Sequence, residues 1–261
     1  QRAHAPSVRE TDAFGDTLDA GRPPRRIVSL NPAATEIVFA LGAGARVVGR
    51  TRWDTSPDSA RLVPDLGDGM RPNVEVVLGA HPDLVLLYAS PENRAARDAL
   101  RRNGIATLTQ RIDRVADFVN AVVQLGRALG DTSRARAVRD SVEATLGRAH
   151  ALTVGLAKPR VLWPLWEAPL LSVGRGSFLN ELLEAAGAEN IFADLAAPSP
   201  QVTFEEVVRR DPDVVLIGPS RGVALRADPR WRALRAVRGG HVVTYDTMLV
   251  GRPGVRMGEA A

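Results

Sequence analysis

The hydrophobic and polar positions of this chain repeat one pattern twice, 130 residues apart. NVEVVLGAHPDLVLLYAS at 73–90 aligns with TFEEVVRRDPDVVLIGPS at 203–220. Each copy begins with the spacing of a short helix, breaks at a Pro-Asp pair and continues as an apolar run. Such a run, without polar alternation, is typical of a strand covered on both faces of a sheet. Two copies so far apart predict two lobes of similar build rather than a solenoid.

A second alignment pairs the first helix of each lobe. TEIVFALGA at 35–43 aligns with NELLEAAGA at 180–188, at an offset of 145. The two offsets differ by a loop of about 15 residues, a difference that connecting segments tolerate.

Strand and helix patterns alternate on both sides of a long helical segment. Short apolar runs alternate with helical spacing from Arg26 to Thr109, and the alternation restarts at Arg160. This order predicts an α/β fold with parallel sheets wrapped by helices. Residues 133–152 keep helical spacing throughout, which corresponds to a length of roughly 30 Å. A helix of that length suits a connection between two lobes.

The predicted organisation therefore has four parts. Residues 1–10 are mostly polar and are expected to be poorly ordered. Residues 11–130 form an N-terminal lobe, residues 131–156 an interlobe helix and residues 157–261 a C-terminal lobe.

Local patterns make four narrower predictions. Residues 11–18 are expected to form a small hairpin, and Asn31 is expected to cap the helix that follows it. The stretch containing Trp166 is expected to be a loop, and Ile191-Phe192 is expected to be a strand.

Composition contributes mainly exclusions. The 261 residues are 45% hydrophobic, which is sufficient for proper cores. The net charge is only +4, and the arginines alternate with acidic residues and alanine on predicted helices. This pattern argues against a nucleic-acid-binding surface. The lack of cysteine excludes disulfides, thiol catalysis and thiolate metal sites.

Enzyme signatures are weak. The glycine stretches at 42–44 and 174–176 lack the third glycine of a dinucleotide-binding motif, and no P-loop or nucleophile elbow occurs. The four histidines never lie within a turn of one another, so no local metal site is predicted.

Aromatic residues are scarce, at 5%, but several lie at or just beyond the carboxyl ends of predicted strands, where open α/β sheets bind ligands. They are Trp53, Tyr88, Trp163, Trp166 and Tyr245. Each one could equally be a core or loop-packing residue. As a group, they could sandwich a large planar molecule.

Glu75 and Glu205 occupy equivalent places in the first turn of each repeated helix. One interpretation is that both acids complement the helix dipole, and Glu206 has capping-box spacing with Thr203. The other interpretation is that the two carboxylates receive basic groups from a two-fold symmetric partner.

Five segments, in order, resemble the helical-backbone class of ABC-importer substrate-binding proteins. They are RRIVSLNPAATEIVFALGAGARVVG, NVEVVLGAHPDLVL, PLLSVGRGSFLNELLEAAGAENIFAD, PQVTFEEVVRRDPDVVL and VRGGHVVTYDTMLVGRPG. The class includes binders of vitamin B12, haem and ferric siderophores. The resemblance implies two Rossmann-like lobes with central parallel sheets, joined by one long helix, with the ligand held in a shallow cleft between them.

The resemblance is greatest to the cobalamin-binding branch. It implies a binding protein without catalysis, with no intrinsic cofactor and no resident metal, whose ligand is cobalamin or another corrinoid. The implied ligand contacts are Trp53, Asp54, Tyr88, Trp163, Trp166, Tyr245, Asp246 and Arg252. Ser199 and Gly69 depart from the pattern, because the B12 binder carries tryptophan at both positions.

Other ligands and functions remain open at this point. Haem is the main rival, since Tyr88 or Tyr245 could supply a phenolate to ferric iron. A siderophore binder would use cleft arginines, for which Arg52, Arg175 and Arg221 are candidates. A chelatase-like enzyme would need a catalytic histidine in the cleft.

The resemblance also implies a partner and a location. Glu75 and Glu205 match the glutamates that dock onto arginines of a membrane permease dimer, and the binding protein itself is expected to be a monomer. No apolar run approaches the length of a membrane span, and the chain begins at Gln1 without a signal-peptide pattern. We expect a periplasmic or extracellular protein, with a lipid anchor as one option. Members of the class end with a helix after the Arg-Pro-Gly stretch, and this sequence stops at Ala261, inside the region where that helix is expected.

Overall fold

The fold is known from a computed structural model that describes residues 11–17 and 22–261. The predicted disordered segment, 1–10, and the last residue of the predicted hairpin, Leu18, lie outside the described residues. Within the hairpin, Thr11 and Thr17 form an antiparallel bridge. The chain divides into two compact units, which are residues 1–112 with 116–140, and residues 113–115 with 141–261.

Unit 1 contains a four-stranded parallel sheet in the order β2-β1-β3-β4. Its strands are β1 (Ile27–Leu30), β2 (Val47–Gly49), β3 (Leu84–Tyr88) and β4 (Ala106–Gln110). Its helices are α1 (Pro32–Ala40), α2 (Val74–Gly79), α3 (Pro91–Arg102) and α4 (Val115–Leu129), and it shares α5 (Thr132–Thr153) with unit 2. Residues 84–87 of β3 are all buried, so the expected strand with both faces covered is confirmed.

Unit 2 contains a second four-stranded parallel sheet, in the order β10-β9-β5-β8. Its strands are β5 (Arg160–Leu162), β6 (Pro164–Glu167), β7 (Leu170–Ser172), β8 (Glu189–Asn190), β9 (Val214–Ile217) and β10 (Val242–Thr244). Its helices are α6 (Phe178–Ala185), α7 (Phe204–Arg210), α8 (Gly222–Ala227), α9 (Arg235–Arg238) and α10 (Thr247–Val250). Both units therefore have the α/β architecture predicted from the alternation.

The internal repeat extends to backbone conformation. The residue before each Pro-Asp pair adopts a left-handed conformation, with φ of 49° at His81 and 41° at Asp211. Neither residue is glycine, and β-carbon crowding makes this region uncommon for other residues. The shared conformation shows that both copies turn from helix to strand along the same path.

The aspartate of each Pro-Asp pair holds the start of the neighbouring strand. The Asp83 carboxylate accepts the backbone N–H groups of Arg25 and Arg26, at 2.7 and 2.9 Å. The Asp213 carboxylate accepts the backbone N–H of Arg160 at 2.9 Å. The repeated aspartates therefore register the helix–strand unit against β1 and β5.

An arginine at the start of each of those strands makes a second set of hydrogen bonds to the repeated unit. The Arg26 guanidinium donates to the carbonyls of Ala80 and His81 after α2, at 2.7 and 2.8 Å. The Arg160 guanidinium donates to the carbonyls of Arg210 and Asp211 at the end of α7. Carbonyls at a helix end lack intrahelical partners, so both arginines satisfy groups that the chain itself leaves open.

The second alignment is also confirmed locally. Gly42 and Gly187 end their helices with φ of 74° and 69°, and the next residue in each case donates to a carbonyl five residues back, at 3.0 and 2.8 Å. This is the left-handed helix ending that glycine favours.

Two local predictions are wrong. The stretch containing Trp166 is an antiparallel pair, β6-β7, rather than a loop, because Trp166 and Glu167 pair with Leu171 and Leu170. Strand β8 ends at Asn190, so the expected strand at Ile191-Phe192 does not form. Phe192 is apolar because it is fully buried in the core of unit 2.

The cap of α1 is correct in position but differs in chemistry. Asn31 precedes the first helical residue, yet its side chain makes no capping bond. Its amide instead donates to the carbonyl of Gln110 at 3.3 Å. The asparagine therefore connects α1 to the end of β4.

Candidate functional site

Three of the predicted aromatic residues lie at the carboxyl edges of the two sheets. Tyr88 is the last residue of β3, Trp163 follows β5, and Tyr245 follows β10. All strands within each sheet are parallel, so one edge of each sheet carries the carboxyl ends. Each unit thus presents aromatic side chains where open α/β sheets bind ligands.

In unit 2 the structure brings Trp163 and Tyr245 together. Their ring centroids are 5.0 Å apart at an interplanar angle of 56°, within the range of favourable aromatic pairs. Trp163 is 3% exposed, and its carbonyl accepts the Ser172 hydroxyl and the Val173 N–H, at 3.2 and 3.1 Å. Its indole Nε1 has no hydrogen-bond partner among the described residues.

Trp166 is the exposed member of the group. It is 54% exposed on β6, and its Nε1 donates to the carbonyl of Ala168 at 3.0 Å. The Arg221 guanidinium lies 5.2 Å from its ring centroid and 3.8 Å from the Glu167 carboxylate. From the sequence, Arg221 was a candidate only for contact with a siderophore. Its contacts with Trp166 and Glu167 depend on the β6-β7 hairpin, which the sequence did not predict.

In unit 1, Trp53 and Asp54 have different roles. Trp53 is 60% exposed, whereas Asp54 is fully buried. The Asp54 carboxylate accepts the backbone N–H of Thr51 at 2.5 Å, and the Thr51 hydroxyl accepts that of Trp53 at 3.2 Å. Asp54 therefore shapes the turn that presents Trp53 to solvent.

Asn93 is a positioning residue that sequence reasoning missed. It is fully buried in α3, and its side-chain amide donates to the carbonyls of Tyr88 and Gly69, at 3.0 and 3.1 Å. Its side-chain oxygen accepts the N–H of Arg71 at 3.2 Å. Asn93 thus fixes loop 67–71 beside the end of β3.

Gly69 is required by its backbone conformation. Its φ is 83°, and a β-carbon there would lie 2.8 Å from the carbonyl oxygen of Leu30. A tryptophan does not fit this path. The B12 binder that the sequence resembles carries tryptophan at this position. The replacement by Gly69 therefore changes the path of loop 67–71 as well as the side chain.

The remaining predicted ligand residues lie after β10. The Asp246 carboxylate accepts the backbone N–H of Met248 at 2.8 Å, which caps α10. Arg252 is half-buried two residues beyond that helix. Ser199 is exposed in the segment before Gln201.

Two cavities of unit 1 are lined by other residues. One, of about 240 Å³, lies beside the end of β4 and includes Asp12 and Gln110. The other, of about 260 Å³, lies beside the start of β3 and includes Arg25 and Asp83. None of the predicted ligand residues lines either cavity.

Glu75 and Glu205 are exposed in the first turns of α2 and α7. Neither carboxylate has a partner among the described residues, whereas the neighbouring Glu206 forms the predicted capping box with Thr203. Within residues 11–17 and 22–261, no cluster of three or more His, Asp or Glu side chains could hold a metal ion. His81, His150 and His241 are exposed.

Comparison with known proteins now decides the family. Residues 27–249 match the family model described as periplasmic binding protein. The chain belongs to the periplasmic binding protein family. This membership confirms the resemblance and the extracytoplasmic location, and no helix in the described part of the chain has the length and apolar character needed to span a membrane.

Two relatives carry more specific names. A cobalamin-binding protein of Halobacterium salinarum is 34% identical over 278 residues, covering 99% of this chain and 73% of its own length. An uncharacterized ABC transporter substrate-binding lipoprotein of Bacillus subtilis is 30% identical over 270 residues, covering 99% of this chain and 84% of its own length.

The fold is shared with solved members of the family. The periplasmic heme-binding protein RhuT from Roseiflexus sp. RS-1 superposes with a TM-score of 0.79 at 26% identity, covering 90% of this chain and 94% of its own. The predicted fold class, that of the class III periplasmic binding proteins, is thereby confirmed.

Proposed function

We propose that this chain captures cobalamin or another corrinoid outside the cytoplasm and delivers it to an ABC importer. The proposal is carried by the cobalamin-binding relative, which is 34% identical across 99% of the chain. The ABC transporter relative supports a membrane importer as the partner. We also propose the domain organisation that the sequence predicts, with lobes at 11–130 and 157–261 and a connecting helix at 131–156.

The chemistry at the carboxyl edges suits a corrinoid. A corrin is a broad macrocycle fringed by amides, so it needs both apolar faces and hydrogen-bonding groups. Trp53 and Trp166 expose large aromatic surfaces, and such surfaces bind flat apolar faces. Trp163 is buried and its ring lies 5.0 Å from that of Tyr245, so it supports the tyrosine that we place against the ligand. Tyr88, Tyr245, Asp246 and Arg252 complete the proposed ligand set.

Titration with cobalamin and cobinamide tests the ligand. We expect a calorimetric signal and a shift of the corrinoid absorption spectrum. Tyr88→Ala and Arg252→Ala should each weaken binding by about 1–3 kcal/mol. Tyr88→Phe is the matched control, because it keeps the aromatic face. No signal with either corrinoid would overturn the assignment.

Haem is the second candidate, supported by the heme-binding structural relative at 26% identity. Tyr245 is half-buried at a sheet edge, and a tyrosine phenolate is a known ligand of ferric haem. A Soret band after incubation with hemin, lost in Tyr245→Phe or Tyr88→Phe, would favour haem over a corrinoid.

We also propose that Glu75 and Glu205 dock onto basic groups of the permease dimer. Both carboxylates are exposed and free of partners within the described chain, so they are available for charge pairing. The double substitution Glu75→Ala with Glu205→Ala should abolish uptake and leave ligand affinity unchanged. Reduced ligand affinity in that variant would contradict the division between binding and docking.

The proposed role is binding without catalysis, by a monomer, with a lipid anchor as one option. The chelatase alternative requires a histidine near the ligand, and the three histidines of the described chain are exposed outside the predicted ligand set.

A further inference from the structure

The outward faces of α2 and α7 carry different charges. Val77 and Val207 are fully buried and mark the core side of each helix. Because an α-helix turns about 100° per residue, positions two before and two after a buried residue lie on the opposite side. On α2 these positions are Glu75 and Gly79, and both are exposed.

On α7 the equivalent outward positions are Glu205 and Arg209. They are four residues apart, and side chains at this spacing are neighbours on a helix surface. A second cation lies beside the same turn, because the exposed Arg230 places its guanidinium 4.9 Å from the ring centroid of Phe204. The outward face of α7 therefore carries the cation Arg209 one turn from Glu205.

Helix α2 itself contains no arginine or lysine. Gly79 stands in place of Arg209, and Val74 stands in place of the Phe204 ring that carries Arg230. Arg71, just before α2, interacts electrostatically with Glu92 on α3. Glu75 is thus a carboxylate without a neighbouring cation on its own helix.

We infer that the two docking faces are unequal, with Glu75 as the dominant contact for a basic partner surface and Arg209 weakening the contact at Glu205. This inference rests on the proposed docking function. Like charges placed opposite each other across an interface oppose association, so Arg209 repels the same basic groups that Glu205 attracts. The partner therefore meets one acidic face and one mixed-charge face.

The chain offers a matched exchange that tests this asymmetry. A β-carbon at Gly79 would meet no atom within 4 Å, so Gly79→Arg adds the missing cation to α2 without a clash. Gly79→Gln is the uncharged control. Arg209→Gln makes the opposite change on α7.

Docking is measured as saturable binding of fluorescently labelled protein to right-side-out membrane vesicles from the organism that makes this chain, at low salt. We expect Gly79→Arg to weaken binding by about 3- to 10-fold, while Gly79→Gln stays within about 2-fold. Arg209→Gln should strengthen binding by about 2- to 3-fold. Circular dichroism and unchanged ligand affinity verify that each variant is folded.

Single glutamate substitutions separate the two levels of the proposal. Glu75→Ala should lose several-fold more affinity than Glu205→Ala. Equal losses, with no effect of Arg209→Gln, would overturn the asymmetry and leave the docking function standing. Undiminished vesicle binding by the double glutamate variant would overturn docking itself.

Discussion

The two copies of the repeated helix–strand unit follow the same path but are packed differently. Residues 84–87 of β3 are all buried, whereas β9 alternates between half-buried and buried positions. Leu86 is fully buried and its counterpart Leu216 is half-buried. The neighbours of each strand, rather than its own residues, therefore set how much apolar surface it buries.

For the helices of the two copies the order is reversed, because α7 makes more stabilising contacts than α2. Helix α7 has a capping box, and its Arg210 makes two hydrogen bonds to the Asp194 carboxylate, at 2.7 and 2.8 Å, while lying 4.6 Å from the Phe192 ring centroid. Helix α2 has only the Asn73 cap, and Ala80 occupies the position equivalent to Arg210. In unit 1 the strand of the repeat is the more buried element, and in unit 2 the helix of the repeat makes more polar contacts with its surroundings.

Core truncation should separate the two strands most clearly. Leu86→Ala should lower the free energy of unfolding by about 3 kcal/mol, and Leu216→Ala by about 1 kcal/mol, because a fully buried leucine leaves the larger cavity. Native-state hydrogen exchange of the β3 and β9 amides measures both values.

Val85→Ala and Val215→Ala are the matched controls for this prediction. Both valines are fully buried, so their costs should agree. Equal costs for the two leucine variants would contradict the difference in burial.

The brace on α7 should have a smaller effect. Arg210→Ala removes the bonds to Asp194 and to the Ile191 carbonyl and the contact with Phe192. We expect a loss of about 1 kcal/mol, since Asp194 is largely exposed and water screens the ion pair. Hydrogen exchange should rise in α7 and residues 191–194 but not in α2. A uniform rise across both units would argue against a local brace.

The smallest expected difference between the two copies of the repeat is in their stability at acidic pH. The Thr203 N–H holds the pKa of Glu206 below its ordinary value, and the Arg160 N–H, with a further contribution from Arg235, lowers that of Asp213. A carboxylate whose pKa is depressed by folding stabilises the protein above its unfolded pKa. This stabilisation is lost as the pH falls through the folded pKa.

The second copy of the repeat should therefore lose stability progressively below about pH 4. Guanidinium unfolding midpoints between pH 7 and pH 3 measure this loss. Asp213→Asn combined with Glu206→Gln should flatten the pH dependence, and a slope equal to that of the wild type would contradict the prediction.

Much of the fold was predictable because it depends on local patterns. Apolar runs, Pro-Asp breaks and terminal glycines act over a few residues, and they correctly indicated α1, α2, α4, β3 and β9. The hairpin β6-β7 was missed because its pairing joins residues on either side of a proline, which reads as a break.

The candidate site was predictable in part. The aromatic residues were expected at strand ends, and Tyr88, Trp163 and Tyr245 lie there. The role of Asn93 was missed because its partners are backbone carbonyls from two separate segments. Backbone partners carry no residue identity, so no sequence pattern reveals them.

The sequence by itself determined the two-fold repetition, the parallel α/β order and the family. These follow from periodicity and motif order, which are properties of the chain alone. Only the tertiary structure decided that Asp83 and Asp213 register neighbouring strands, that Asp54 is buried and that Arg221 stacks on Trp166. Such contacts join residues distant along the chain, and burial and pairing depend on what packs against each side chain.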